Sequence, residues 1–122
     1  MNKILIILSL VLLVSCAPNE VPSKNLVERD GIKYERSSQT PFTGSSVSFH
    51  ENGRLSWKGN YKRGKQDGLY ESYHENGQLM MRGNLKSGKR DGLREYYGEN
   101  GQLKFKNCYK NGRDADMSDC EK

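Results

Sequence analysis

Two histidines stand next to glutamates in this chain, His50 before Glu51 and His74 before Glu75. An imidazole beside a carboxylate can bind a transition metal or move a proton. The spacing argues against both. The equivalent third position is Gly98, and no Cys-x-x-Cys or histidine-rich cluster supports a site, so both histidines read as turn residues and no metal is expected. Glu71 and Glu95 are a second candidate, because paired carboxylates can act as general acid and base. Their recurrence at one repeat position explains them without catalysis; on an apolar face they should meet a cation or lie at a shallow rim. No Ser-His-Asp or Cys-His constellation is present, and no glycine cluster opens a helix to cradle phosphate. The expectation is a non-enzymatic chain with no catalytic residue and no cofactor.

The cations are more orderly. Lys62, Arg63 and Lys65 form one group, Lys86, Lys89 and Arg90 the next, and Lys110 and Arg113 the last. Placed on connections at one end of a sheet, they would face anionic lipid headgroups or another anionic surface, opposite an acidic end made by Glu51, Glu75 and Glu99. Solvated turn lysines are the plainer alternative, and both readings stay open here. The formal net charge of +5 is mild and does not call for a nucleic-acid partner.

The three cysteines divide by position. Met1–Lys3 is short and positive, and 4–14 is apolar apart from Ser9. That is the layout of a signal peptide, too short for the roughly 20 residues that a bilayer span needs. It ends in Leu13-Val14-Ser15-Cys16, which resembles the bacterial lipobox, whose cysteine receives a diacylglyceryl group before cleavage. The resemblance implies residues 1–15 as a signal peptide, Cys16 as the lipid anchor and 16–25, with Pro18 and Pro22, as a tether. It also implies the bacterial cell envelope as the address. Ala17 in place of aspartate points to the outer membrane if the cell is Gram-negative. Residues 1–15 hold one lysine and no acid, so the processed chain would carry +4. Cys108 and Cys120 remain. In an oxidising compartment they are expected to pair and staple the C-terminal tail, 115–122, to the last repeat; two free thiols are the alternative.

The elements that position these groups repeat every 24 residues. Glu51-Asn52-Gly53 returns as Glu75-Asn76-Gly77 and Glu99-Asn100-Gly101. Phe49, Tyr73 and Tyr97 form one column, and Trp57, Met81 and Phe105 another. A fixed period of this size marks a repeat architecture whose units bury apolar surface only against their neighbours. Asn-Gly between alternating segments predicts hairpins. A three-residue loop pairs Tyr73 with Leu79 and predicts Leu69, Tyr73, Leu79 and Met81 on one face, with Gly53, Gly77 and Gly101 left-handed. The second connection is read as 86–92, using Ser87-Gly88-Lys89 and Asp91-Gly92 as turn chemistry. The aromatic columns serve either as core or as a ligand platform, and core is favoured because little else is apolar. The fold class that follows is all-β: an antiparallel meander of repeated hairpins over 42–114, preceded by a divergent capping hairpin at 26–41.

Tyr-His-Glu-Asn-Gly-Gln-Leu at 73–79, Gly-Asn-Leu-Lys-Ser-Gly-Lys-Arg-Asp-Gly-Leu at 83–93 and Tyr-Gly-Glu-Asn-Gly-Gln-Leu at 97–103 resemble the bacterial variant of the MORN repeat. The resemblance covers 42–114. It implies a sheet that binds protein or lipid, and many bacterial relatives are labelled YwqK-type antitoxins of toxin–antitoxin systems. The expected function is therefore a membrane-anchored scaffold that binds a protein partner. An antitoxin or immunity protein, and a phospholipid- or wall-binding structural protein, are the alternatives.

Overall fold

A computed structural model describes residues 20–121. The expected signal peptide, the expected lipobox residues Leu13, Val14 and Ser15, the expected lipidation site Cys16 and the start of the expected tether lie outside them. The described residues are nearly all β. The strands are β1 (Glu20–Pro22), β2 (Leu26–Arg29), β3 (Ile32–Glu35), β4 (Gly44–Phe49), β5 (Leu55–Lys62), β6 (Lys65–Tyr73), β7 (Leu79–Lys86), β8 (Lys89–Tyr97), β9 (Leu103–Lys110) and β10 (Arg113–Ala115). β4 to β10 form an antiparallel meander. β1 pairs parallel with β4, which completes an eight-stranded sheet in the order β1-β4-β5-β6-β7-β8-β9-β10; β2 and β3 make a separate hairpin.

Turn chemistry sets this register. At one end of the sheet the His74 amide donates to the Gln78 carbonyl (2.8 Å) and the Gly77 amide to the His74 carbonyl (2.9 Å). Gly77 has φ +89°, and Gly53 and Gly101 match it, so the three-residue loop with a left-handed glycine is present in all three repeats. Tyr73 opposes Leu79 as expected, but Ser72 opposes Met81, leaving Met80 as a bulge. Ser56 and Lys104 are skipped in the same way. The bulge reverses the alternation, so Leu79 shares a face with Tyr73 while Met81 lies on the other. The expected single apolar face containing both Leu79 and Met81 is thus corrected.

The opposite end also departs from expectation. Arg63-Gly64, Ser87-Gly88 and Asn111-Gly112 all have positive φ, which makes two-residue turns of the type that matches strand twist. Such a turn needs nothing more, so Lys65, Lys89 and Arg90 belong to strands; Asp91 pairs with Asn84, and Gly92-Leu93 forms a bulge inside β8 where a turn was expected at Asp91-Gly92. Lys62 and Lys86 are the last residues of β5 and β7. Of the predicted anion-contacting residues from Lys62 to Arg90, only Arg63 lies in a turn.

The sheet is a single layer, and its buried apolar groups collect towards its two ends. Phe42, Val47 and Tyr61 are buried on one side, Cys108 and Tyr109 on the other. The β2–β3 hairpin does not extend the sheet. It sits on the first basic turn, where the Lys33 amide donates to the Gly64 carbonyl and the Gly64 amide to the Phe42 carbonyl. Residues 20–25, read as tether, are instead β1 and a 3-10 turn. At the far edge β10 and a second 3-10 turn (Met117–Asp119) are held by a Cys108–Cys120 disulfide, with 5.9 Å between the Cα atoms. Short strands at both edges leave little backbone free to recruit another sheet.

Candidate binding face

Residues directly opposed across antiparallel strands share a face. On one face Lys58, Glu71, Arg82, Glu95 and Lys106 form a row across five strands with alternating charge. Each glutamate is flanked by cations on both neighbouring strands. Glu20 extends the row to Lys58 (3.2 Å) and Glu121 to Lys106 (3.7 Å), which ties the first and last described residues to this face. Phe49, Tyr73 and Tyr97 lie on it too. Partial burial raises the pKa of the Tyr73 hydroxyl, and the neighbouring Glu71 carboxylate raises it further.

The other face carries a different set. One row runs Gly59, Tyr70, Gly83, Arg94, Asn107; beside it runs Trp57, Ser72, Met81, Tyr96, Phe105. The expected aromatic ladder is therefore divided between faces. It is also not a core: Phe49 is 57% exposed and Phe105 53%. Trp57 stacks on Tyr70 (5.9 Å between centroids), and Tyr96 on Phe105 (4.4 Å). The glycines make room. A Cβ on Gly59 would come 3.2 Å from the Tyr70 ring, and one on Gly83 would come 2.9 Å from Arg94 Nε. The Arg94 side chain therefore lies flat on the sheet, in the space that a side chain at 83 would fill.

Arg94 is 7% exposed and Ser72 5%. Arg94 Nε and Ser72 Oγ have no hydrogen-bond partner among the described residues, although buried polar atoms nearly always find one. Both residues line a hollow of about 460 Å³ with Trp57, Tyr70, Met81, Tyr96 and Arg90. A second hollow, of about 260 Å³, shares Tyr70, Met81, Arg90 and Arg94 and reaches Leu85. Arg90 Nη1 donates to the Tyr109 hydroxyl (3.4 Å).

The sequence reading passed over Tyr70, Ser72, Arg94 and Tyr96. A signal for them exists in the columns where the repeats differ. Ser46, Tyr70 and Arg94 are equivalent positions, as are Ser48, Ser72 and Tyr96. Invariant columns maintain the hairpin, while varying ones are free to make a site.

The turn residues have structural work. His50 Nε2 meets the Tyr73 carbonyl (2.8 Å) and His74 Nε2 the Tyr97 carbonyl (2.9 Å). A carbonyl only accepts, so Nε2 is the protonated nitrogen. Asn52 Nδ2 donates to the Glu75 carbonyl and Asn76 Nδ2 to the Glu99 carbonyl, both at 2.8 Å. Each turn thus bonds to the next one. Among the described residues no such turn follows Glu99-Asn100-Gly101, so a histidine at 98 would have no next turn to bond. Among the described residues no three metal-binding side chains gather. At the basic end, Lys62, Arg63, Lys65 and Lys86 surround a hollow of about 620 Å³ that also contains Asp67 and Asp91, so its charge is mixed.

The family model of the MORN repeat variant matches residues 66–87 and 90–111, spanning the hairpin pairs β6–β7 and β8–β9. No curated protein and no solved structure matches the chain. Residues 66–87 and 90–111 are thus two repeats of the MORN variant type, set inside a meander of the same period.

Proposed function

We propose that this chain is a non-enzymatic binding module, held at the bacterial envelope by lipid on Cys16, whose sheet docks a protein partner. The carrying observation is the asymmetry of the single layer. One face is closed by a row of alternating charge that Glu20 and Glu121 extend, while the other bears stacked aromatics, a hollow and polar atoms without a partner among the described residues. Aromatic side chains and arginine are the residue types that dominate protein interfaces. An immunity or antitoxin role is the same reading with a toxin as the partner, and a toxin gene beside this one would favour it. The basic end supports headgroup binding less well, because Asp67 and Asp91 stand among its cations.

Two measurements test the proposal. Radiolabelled palmitate should enter the wild-type chain and be absent from Cys16→Ala, which should also leave the membrane fraction; equal labelling would end the anchor. Crosslinking in the native envelope, followed by purification, should bring down one stoichiometric protein. Retention of lipid or wall material alone would replace the protein-binding reading with a structural one.

A further inference from the structure

The open face has a feature that general stickiness does not require: a buried cation with spare donors. We infer that the hollow around Arg94 receives a carboxylate side chain of a protein partner, flanked by an aromatic or aliphatic residue. This rests on the protein-binding reading and specifies its chemistry. Arg94 Nε and Ser72 Oγ are both more than nine-tenths buried, both lack a hydrogen-bond partner among the described residues, and both line the same hollow. Arg90 adds a second guanidinium at its wall. Acceptors that bring negative charge satisfy such donors most strongly. The remaining wall is Trp57, Tyr70, Met81 and Tyr96, which fits an apolar group next to the acid.

The depth of Arg94 selects the occupant. A bilayer presents a flat plane of headgroups and meets exposed cations; an arginine that is 7% exposed as a residue, its Nε buried over Gly83, is out of its reach. A projecting aspartate or glutamate can descend to it. Tyr70 and Arg94 occupy equivalent positions in successive repeats, so a Tyr–Arg pair is made by divergence of one column. Gly59 and Gly83 provide the matching floor beneath each.

The test is selection of random phage-displayed peptides on the immobilised full chain, with titration of the winners against the fluorescence of Trp57, the single tryptophan. The expected winners carry Asp or Glu beside an aromatic or aliphatic residue and perturb Trp57. Arg94→Met should weaken them about 10- to 100-fold, as loss of a hydrogen bond to a charged group implies. Exchanging the peptide's Glu for Gln should do the same. Arg90→Gln, at an exposed position, is the second variant should Arg94→Met fold poorly, and it should weaken the acidic peptides and spare the Gln form. Winners without an acid, or winners bound equally by both variants, overturn the inference and leave the protein-binding reading intact. Absence of winners, with retention of phosphatidylglycerol vesicles or a single-stranded oligonucleotide, overturns both.

Discussion

At the scale of residues, single side chains join each Asn-Gly turn to the one after it. His50 and His74 invite a metal hypothesis, yet each ties one turn to the next through Nε2. Asn76→Ala should cost about 0.5–1.5 kcal/mol, because it removes a bond to the next repeat as well as the local one from the Gln78 amide. Asn100→Ala should cost less, since the local bond to the Gln102 amide is the one described for it; equal losses in thermal melts would contradict the inter-turn role. Tyr70 makes a pH prediction. Burial raises its pKa above the ordinary value, partly offset by the positive charge of Arg94. Its folded-state pKa exceeds the unfolded one, so its contribution is complete below about pH 10 and fades as pH rises through the folded value. Tyr61 is raised in the same way, mainly by burial. The protein should lose stability above about pH 10, and Tyr70→Phe should move the alkaline unfolding midpoint upward; an unmoved midpoint would show that Tyr70 does not take part.

At the scale of elements, the turns carry the register. Gly77→Ala should destabilise by about 1 kcal/mol or more, because φ +89° is unfavourable with a Cβ. Ser87, at φ +49°, is a mild misfit in a two-residue turn, and Ser87→Asn should stabilise by about 0.5 kcal/mol, part of the roughly 1–2 kcal/mol that a Cβ costs in that region. The same turns show how much was legible. The 24-residue period, the three-residue loop and the Tyr73–Leu79 pairing can all be argued from Asn-Gly chemistry and from columns. The bulge at Met80 could not, since it repeats at Ser56 and Lys104 and so leaves the period untouched while inverting the faces beyond it. Asp91-Gly92 misled for a related reason: a glycine with positive φ serves a bulge as readily as a turn. The Arg94 hollow stayed hidden because it depends on which residues share a face after those inversions.

At the scale of the molecule, a single-layer sheet with few buried apolar residues must be held by its repeats and its edges. The Cys108–Cys120 link closes the far edge, and Cys120→Ser should lower stability by about 3 kcal/mol in the chain-entropy account and expose β9 to exchange. An unchanged melt would show that the cap is held without the bond. The central claim is that partner binding belongs to one face alone. Phe105 and Leu103 are both about half exposed, two residues apart on β9, and the bulge at Lys104 points them to opposite faces. The most direct test places a benzoylphenylalanine photocrosslinker at position 105 or at 103 in the native envelope. The account predicts one discrete protein adduct from 105 and none from 103; equal adducts from both positions, or an adduct from 103 alone, would contradict it.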